Sequence, residues 1–419
     1  MKILIWSPNY APELIGIPPL VTEAAEWLAG RGHDVDVVTA FPNYPERRIR
    51  PGYGRSFRQH DRRAGVDITR SWLRVRPNES FLDKVLYELT FVTFSAPHVV
   101  RRLRGADALL CVIPSLLAAR AAHTAIHALR ARTRLVLWVQ DLVVRASAAV
   151  DAGSVARSSM RVAGRIERAA WRAADAVVVC SPGFVEHVTS AGAAPDDVSV
   201  VLNWAPVETV VPTPLPPSDG PTRFLYSGNL GYTQGFETLL EAARLAGSDV
   251  SLRIVGAGNA AEDVARKAAA VSNVVVEPPV ARADFPALLA WAHAHVVIQR
   301  TAAAGANLPS KIGSYLASGR PIVASLSFDT PAAELLRQSG AAVLADAESS
   351  SALAEAMLHL HTHPQLLAEL GGAGRKFAVA ELSPDRQLVR LERVLLGFSG
   401  ADDERTPRDD RPTRPGTDP

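Results

Sequence analysis

The chain has 419 residues, of which 47% are hydrophobic and 21% charged, and its net charge of +2 is ordinary for a globular protein long enough for two domains. Two cysteines, Cys111 and Cys180, each end an apolar run, which argues against a disulfide framework or a metal site and favours a reducing compartment. No basic segment precedes an apolar leader, and no apolar run reaches the roughly 18 residues of a membrane span, so we expect a cytoplasmic protein.

In the first half of the chain, short apolar or β-branched runs alternate with helical patterns. Alternation of this kind favours a parallel sheet with helices on both faces. Pro19 fits the first position of the first helix, and Gly32 fits just past its end. Ser181-Pro182 predicts another helix start. The predicted strands are residues 3–6, 34–39, 108–113, 135–139, 176–180 and 198–202.

The loop after the first strand contains Gly16-Ile17-Pro18-Pro19-Leu20. In α/β enzymes such a loop often presents backbone N–H groups to a ligand. Pro18 and Pro19 remove two of these donors and fix φ, so we do not expect this loop to hold a phosphate.

A basic segment follows. Between Arg47 and Arg104 there are 14 basic residues against five acidic ones. Residues 81–104 predict a helix, because apolar side chains recur at spacings of three and four, and Pro97 is predicted to kink or end it. A basic, partly aromatic segment favours peripheral contact with anionic lipid, and a core-facing helix with solvated arginines is the alternative.

At Asn203 the alternation breaks, and two proline-rich stretches, 204–206 and 212–217, predict a stiff linker. The alternation then restarts. We therefore predict an α/β fold with two doubly wound Rossmann-like domains facing a cleft, where ligands bind beyond the carboxyl ends of the strands. The later predicted strands are residues 223–226, 251–255, 273–276, 296–298, 321–324 and 342–344.

The expected boundaries follow from these composition changes. They are 1–205 for the first domain, 206–220 for the linker, 221–383 for the second domain, 384–398 for a C-terminal helix returning to the first domain, and 399–419 for a tail. The tail is rich in Pro, Asp and Arg, so we expect it to be disordered.

Three loops in the second half each follow a strand and precede a helix. Residues 226–235 contain three glycines, which let a backbone approach a ligand, although a tight turn is the alternative. Residues 255–261 match the looser G-x-G-x-x-A dinucleotide fingerprint through Gly256 and Gly258, so close packing or a nicotinamide-dependent dehydrogenase are alternatives there.

The third loop runs from Gly305 to Pro321. Pro309 or Ser310 is predicted to start a helix with Lys311 in its first turn. A lysine at that end opposes the helix dipole unless both are directed at an anion such as a diphosphate. A lysine reaching into solvent is the alternative.

Taken together in order and spacing, these motifs resemble the GT-B glycosyltransferases of family 4, and most of all the branch of colanic-acid and other exopolysaccharide assembly. The resemblance spans roughly residues 1–398. It rests on the stretches NYAPELIG (9–16), EWLAGRGH (26–33), FPNYP (41–45), VQDL (139–142), SGNLG and QG (227–231 and 234–235), LPSK (308–311) and ASGRP (317–321).

The resemblance implies transfer of a sugar from a nucleotide diphosphate sugar to an acceptor hydroxyl, with retention at the anomeric carbon and without a metal or other cofactor. The implied partners are a nucleotide-sugar donor, a glycan or lipid-linked acceptor and the inner face of a plasma membrane, with no nucleic acid. Two other classes remain open: a non-catalytic nucleotide-sugar-binding partner and a sugar-nucleotide epimerase on the same fold.

The same resemblance assigns site residues. Lys311 would stabilise the leaving diphosphate. Asp141 would orient or deprotonate the acceptor or contact the donor sugar, unless it is a structural aspartate. The donor would be held mainly by the second domain, through Gly228, Asn229, Gly231, Gln234, Gly256, Gly258, Pro309, Ser310 and Lys311. The acceptor side would include Tyr10, Glu13, Gly16 and Gln140, with the Pro18-Pro19 loop as a stiffened wall.

The chain also departs from the family pattern, which raises the hypothesis of lost or altered activity. Ala306 and Ser314 occupy the positions of two glutamates in many members, and Trp138 stands where a histidine is common. Asn229 and Gln234 replace an arginine and a lysine, as in this branch, whereas Pro18-Pro19 replaces the branch's Gly-Lys pair. The sugar, the base and the acceptor are not specified by the sequence.

Overall fold

The computed structural model describes residues 1–77, 81–142, 154–217, 219–232, 234–305 and 308–398. It contains an eight-stranded sheet with the order β3-β4-β2-β1-β5-β6-β7-β8. Neighbouring strands are parallel except for β3 and β4. The strands are β1 Lys2–Trp6, β2 Asp34–Ala40, β3 Arg58–Arg63, β4 Val66–Ser71, β5 Ala108–Ile113, β6 Arg134–Val139, β7 Ala176–Val179 and β8 Val198–Val200.

The second sheet has six parallel strands in the order β11-β10-β9-β12-β13-β14. Its strands are β9 Thr222–Asn229, β10 Val250–Ala257, β11 Val274–Glu277, β12 Ala294–Ile298, β13 Ile322–Ser325 and β14 Ala342–Ala345. The predicted class, two doubly wound α/β domains, is confirmed.

Helices cover both faces of each sheet. Those of the first half are α1 Ile17–Gly30, α2 Phe81–Leu103, α3 Leu116–Leu129, α4 Ser154–Trp171 and α5 Val185–Ser190. Those of the second half are α6 Phe236–Ala246, α7 Ala261–Ala268, α8 Phe285–Trp291, α9 Lys311–Ala317, α10 Pro331–Ser339, α11 Ser350–Thr362, α12 Gln365–Glu381 and α13 Pro384–Leu395. Central strands such as β5 are buried along their whole length, as expected of a sheet covered on both sides.

Each sheet has one point where the strand order reverses. In the first sheet β1 lies between β2 and β5, and in the second β9 lies between β10 and β12. Loops leaving neighbouring strands at such a point diverge to opposite faces and open a crevice at their carboxyl ends. This topology places the two candidate ligand crevices beside β1 and β5 and beside β9 and β12.

The helix α13 returns to the first domain, as predicted. Leu388, Leu391 and Leu395 are buried in the same hydrophobic cluster as β1 and α1. Glu392 accepts hydrogen bonds from Arg31 on the first domain, and its Oε1 lies 2.8 Å from Nε2 of His33. The tail 399–419 lies outside the described residues.

The basic segment contains an element that the sequence did not predict. Strands β3 and β4 form an antiparallel hairpin around Ala64 and Gly65, both at positive φ. Helix α2 spans Phe81–Leu103, close to the predicted 81–104, and does not end at Pro97. Over the described residues, no helix is long and apolar enough to cross a membrane.

Candidate active site

The second crevice is framed by two glycine loops that lie against each other. Gly228 and Gly256 are register partners at the ends of β9 and β10. A Cβ atom on Gly256 would lie 1.9 Å from the carbonyl oxygen of Gly228, and one on Gly258 would lie 2.4 Å from that of Leu230. Close packing therefore accounts for Gly256 and Gly258, which was the alternative to a dinucleotide fingerprint.

Gly228 has a different role, because its open side faces Lys311. A Cβ atom there would lie 3.4 Å from Cε and 3.5 Å from Nζ of Lys311, and Gly228 has a φ of +130°. The absence of a side chain leaves space next to the lysine. Lys311 is the first residue of α9, after an uncapped Ser310, which matches the helix start that the sequence predicted.

Lys311 is the predicted catalytic cation, and its ammonium group is held over an aromatic ring. The Nζ atom lies 3.4 Å from the ring centroid of Tyr226. No carboxylate of the described residues lies within ion-pairing distance of it. Burial lowers the pKa of Lys311 well below the ordinary value. The ammonium group is therefore poorly solvated.

Tyr315 fixes the position of this lysine helix relative to the glycine loop. Its hydroxyl accepts a hydrogen bond from the backbone N–H of Ser227 at 2.7 Å and donates to the carbonyl oxygen of Ser227 at 3.2 Å. The ring of His295 stacks on Tyr315 with centroids 4.2 Å apart. Because these contacts are buried, Lys311 and Gly228 keep a fixed separation.

Asn229, Gly231 and Gln234 form a compact turn next to Gly228. The N–H of Gly231 donates to Oε1 of Gln234 at 3.0 Å, so the Gln234 side chain closes the turn. A Cβ atom on Gly231 would lie 3.0 Å from Nδ2 of Asn229, so both amides lie beside this glycine. Pro309 is partly buried and Ser310 is exposed, and both immediately precede Lys311 in the chain.

On the first domain, Glu13 joins the loops that follow β1 and β2. Its Oε1 accepts the backbone N–H groups of Asn43 and Tyr44, each at 2.7 Å, and its Oε2 accepts Nδ2 of Asn9 at 2.9 Å. Burial raises the pKa of Glu13, and these hydrogen bonds oppose the shift. Glu13 therefore links the loops that follow β1 and β2 and keeps Tyr44 in place.

Asp141 and Gln140 follow the end of β6. Burial raises the pKa of Asp141 to about 6. The negative charge of Asp141 adds to the raised pKa of Tyr44, which shows that the two groups are near each other. Gln140 is buried, and its Nε2 has no hydrogen-bond partner among the described residues. Asp141 adjoins residues 143–153, which lie outside the described part of the chain.

Contacts and charges link the two domains beside the second crevice. Leu308, just before the lysine helix, packs against hydrophobic clusters of both domains. Burial raises the pKa of Tyr226, and Tyr315 and the first-domain residue Tyr44 add to the shift. Lys311 therefore contacts Tyr226, while Tyr44 lies within electrostatic range of Tyr226 and Asp141 within that of Tyr44.

The other two acceptor-side predictions, Tyr10 and Gly16, follow β1, and a Cβ atom on Gly16 would lie 3.7 Å from Cε1 of Tyr44. Tyr10 is buried, with its hydroxyl unpaired and the Arg70 guanidinium 6.0 Å from its ring centroid. Gly16 is the N-cap of α1, with a φ of 82°, and the following Ile17, Pro18 and Pro19 form its first turn. That helix begins two residues earlier than predicted, so both prolines replace N–H groups that the helix leaves unpaired.

Two residues at the crevices were missed in the sequence. Glu88 on α2 accepts a hydrogen bond from the Ser115 hydroxyl, just past β5, at 2.7 Å, and burial raises its pKa to about 7. Arg300, just past β12, donates to Glu237 at 2.7 Å. Arg300 follows a predicted strand, which could have marked it, whereas Glu88 sits inside a helical pattern with no such signal.

Acidic pairs and the substituted family positions can also be placed. Asp34 and Asp36 each have a carboxylate oxygen 3.5 Å from the ammonium group of Lys2, so this acidic pair at the start of β2 is occupied by a lysine. Over the described residues, no group of three or more His, Cys, Asp or Glu side chains is arranged to hold a metal ion. Ser314 is partly buried on α9, and Ala306 lies outside the described residues.

Comparisons with known proteins agree on one group. Residues 16–204 match the family model described as a glycosyl transferase 4-like domain, and residues 221–363 match the model for glycosyl transferases group 1. The chain is 30% identical over 370 residues to the putative colanic acid biosynthesis glycosyl transferase WcaI of Escherichia coli strain K12, covering 84% of this chain and 90% of that protein.

Solved structures share the fold. WaaG, a glycosyltransferase involved in lipopolysaccharide biosynthesis, superposes with a TM-score of 0.69 at 15% identity, covering 94% of this chain and 100% of that chain. Anabaena HepE, in complex with UDP and glucose, gives a TM-score of 0.67 at 15% identity, covering 95% of this chain and 100% of that chain. Sucrose-phosphate synthase from Thermosynechococcus elongatus gives a TM-score of 0.68 at 16% identity, covering 94% of this chain and 98% of that chain.

Proposed function

Because this chain belongs to the GT-B glycosyltransferases of family 4, we propose that it transfers a sugar from a nucleotide diphosphate sugar to an acceptor hydroxyl, retaining the anomeric configuration. The observation that carries the proposal is the Lys311 ammonium group, which has no carboxylate partner among the described residues and lies next to Gly228. A lysine in that position, beside a glycine that has no side chain, suits a diphosphate. The structures of HepE with UDP and UDP-glucose support this ligand class.

In the proposed reaction, the bond between the anomeric carbon and the diphosphate oxygen breaks, and the acceptor oxygen bonds to the same face of that carbon. Negative charge grows on the leaving diphosphate, and Lys311 stabilises it there. The acceptor hydroxyl loses its proton to Asp141, whose pKa of about 6 leaves it ionised at neutral pH. Glu13 and Tyr44 hold the loops after β1 and β2 in position next to the acceptor.

The donor rests on the second domain in this proposal, with Gly228, Asn229, Gly231, Gln234, Pro309 and Ser310 around its diphosphate and sugar. Gly256 and Gly258 act indirectly, by letting the two loops approach. On the other side, Gly16 and Gln140 border the acceptor. The Pro18-Pro19 turn is a rigid wall that offers no N–H groups to a phosphate.

The proposed setting is assembly of an envelope glycan, exopolysaccharide or related glycoconjugate on a glycan or lipid-linked acceptor. Similarity to a putative colanic acid biosynthesis glycosyl transferase supports this setting. Tyr44 and Asp141 leave the acceptor side both aromatic and acidic, which suits a sugar hydroxyl.

The reaction is proposed to need no metal, because a lysine can neutralise the leaving diphosphate. Turnover is then expected to continue in excess EDTA at the rate seen without it. The measurement is product formation with and without chelator, followed by addition of Mg²⁺ or Mn²⁺. Activity that disappears in EDTA and returns with either ion would overturn this part of the proposal.

A thermal-shift screen against UDP-, GDP- and dTDP-sugars tests the function as a whole. A donor at a hundred times its dissociation constant adds about 2.7 kcal/mol to the free energy of unfolding, which is easily detected. The stabilising donor is then incubated with candidate acceptors. Transfer supports the proposal; binding without turnover would favour a non-catalytic partner, and a new sugar nucleotide without acceptor would favour an epimerase.

A further inference from the structure

A basic cavity of about 440 Å³ lies between α3 and α4 on the first domain. Four arginines line it, together with His123: Arg120 from α3, Arg165 and Arg168 from α4, and Arg172 just past α4. The lining residues of α4 lie near the C-terminal end of this helix, just before the chain enters β7 at its amino end. The cavity therefore lies near the amino ends of the strands, at the edge of the sheet opposite to the cleft.

The arginines around this cavity have no carboxylate ion-pair partners in the part of the chain that the structure describes. Arg165, Arg168 and Arg172 follow one another at spacings of three and four, which places like charges side by side on a helix and is unfavourable. Across the described residues, no carboxylate lies within ion-pairing distance of any of the four guanidinium groups. Glu167 instead pairs with His187 at 3.6 Å.

Neighbouring contacts join the elements that line the cavity and act on its charged groups. Nη1 of Arg120 donates to the carbonyl oxygen of Ala169 at 3.2 Å, which joins α3 to the end of α4. Burial lowers the pKa of His123, and the positive charges of His127 and Arg120 lower it further. The nearby carboxylate of Asp175 is used to accept the N–H of Leu135 at 2.7 Å.

We propose that this arginine cavity binds a phosphate-type oxyanion. The planar guanidinium fork matches two phosphate oxygens, and several forks around one cavity let a single anion relieve the repulsion among them. The phosphate could be carried by a soluble molecule or by a lipid headgroup, since both present the same oxygens. This site is separate from the proposed transfer reaction and does not depend on it.

Calorimetric titration with inorganic phosphate tests the cavity. Arg165→Gln/Arg168→Gln is expected to weaken phosphate binding about tenfold or more, because it removes two charge-assisted contacts. The matched control, Arg266→Gln/Arg337→Gln, removes two exposed arginines from the second domain and should leave the affinity within about twofold. Circular dichroism confirms that each variant is folded.

Lys311→Ala distinguishes phosphate binding in this cavity from phosphate binding in the cleft, because it should not change the affinity of the cavity. Undetectable phosphate binding, equal binding by the cavity variant, or loss only in Lys311→Ala would overturn the proposal. Vesicles distinguish the source. Loss of binding to phosphatidylglycerol vesicles in the cavity variant, relative to the control, identifies a headgroup, whereas unchanged vesicle binding with weakened phosphate binding identifies a soluble ligand.

Discussion

At the scale of single residues, Lys311 is held in a position where its charge is costly until an anion binds. Burial and an aromatic ring replace water around the ammonium group. Lys311→Ala is therefore expected to weaken binding of the nucleotide diphosphate by about 1.5–3 kcal/mol, the range for a charge-assisted contact. Calorimetry on the folded variant measures the change.

The control for this substitution is Lys376→Ala, which removes an exposed lysine from α12. Nucleotide affinity should be unchanged in the control. Raising the pH should weaken binding to the wild type earlier than an ordinary lysine would, because the lowered pKa makes Lys311 lose its charge sooner. Equal affinity of wild type and Lys311→Ala would remove this lysine from the donor site.

Asp141 gives a second residue-scale prediction. Burial raises its pKa from 3.8 to about 6, so the folded state binds the proton more tightly than the unfolded chain. The ionised carboxylate therefore lowers stability above about pH 6, and this cost disappears as the pH falls towards 4. Asp141→Asn is expected to raise the free energy of unfolding at neutral pH by on the order of 1–2 kcal/mol.

The same substitution should lower turnover sharply while leaving donor affinity intact, and wild-type kcat/KM should fall as the pH drops below about 6. A structural aspartate that closes a turn would behave in the opposite way, because its loss would destabilise the protein. Denaturant unfolding, together with initial rates across the pH range, measures both effects. A destabilised but fully active Asp141→Asn would show that the aspartate is structural.

The residue scale also shows what sequence patterns can provide. Lys311 was predicted at a helix start because Pro309 and Ser310 mark one locally, and the structure has it there. Glu88 was missed because it has no local signal, and Arg300 was missed because its position after a predicted strand gains meaning only from the strand order. Each lies near the point where the strand order of a sheet reverses. Only the assembled sheet reveals that the loops after β5 and β12 border the crevices.

At the scale of elements, the two glycine loops of the second domain depend on each other. Gly256→Ala would place a methyl group 1.9 Å from the carbonyl oxygen of Gly228, so β9 and β10 would have to separate. We expect a loss of several kcal/mol of stability, comparable to overpacking a core. Thermal unfolding of the second domain measures it.

Gly372→Ala is the matched control, because a Cβ atom on Gly372 meets nothing within 4 Å. Gly372 lies inside α12, where alanine is the better helix former by roughly 0.5–1 kcal/mol, so this variant should be slightly more stable than the wild type. If Gly256→Ala were as stable as Gly372→Ala, the close approach of the two loops would not be a requirement of the fold.

Element prediction failed where the hydrophobic signal is absent. Strand β3, Arg58–Arg63, is charged and largely exposed, so it has no apolar alternation and is recognisable only through its pairing with β4. A charged edge strand also discourages further pairing by other chains. The central strands were predicted well because burial on both faces demands continuous apolar runs.

At the scale of the whole molecule, long-range contacts determine how the linker lies. Arg320 donates to the carbonyl oxygens of Thr213 and Pro214, and Arg375 donates to those of Val207 and Val210. Prolines prevent this segment from joining a sheet, so side chains satisfy its carbonyl groups instead. The sequence predicts a stiff linker from its prolines, but the arginines that hold it lie more than a hundred residues away.

The two places where the chain passes between the domains are also joined. The N–H of Ala205 donates to the carbonyl oxygen of Leu382 at 2.7 Å, and that of Leu202 donates to Oε1 of Gln387 at 2.9 Å. Trp204 stacks on Trp138 and donates to Glu23 at 2.8 Å. These contacts explain why the C-terminal helix belongs to the first domain, although the sequence order alone places it after the second.

Membrane contact is the last prediction at this scale, and it concerns the outer face of α2. The inner face is core, since Tyr87, Phe91 and Val99 are buried. The outer face still exposes Leu82 (63%) and Leu89 (47%), and Arg101 and Arg104 extend the same stripe towards the end of the helix. An exposed apolar stripe that ends in arginines without an ion-pair partner in the described part of the chain suits an anionic lipid surface.

We expect the protein to sediment with vesicles that contain anionic lipid, and this binding should fade as salt rises, because surface charges are screened. Arg101→Gln/Arg104→Gln should weaken it by roughly 2 kcal/mol, at about 1 kcal/mol for each basic residue near the surface. The control Arg266→Gln/Arg337→Gln removes the same charge from the second domain. If wild type ignores anionic vesicles at low salt, α2 does not dock on membranes, and a freely diffusing acceptor becomes the better hypothesis.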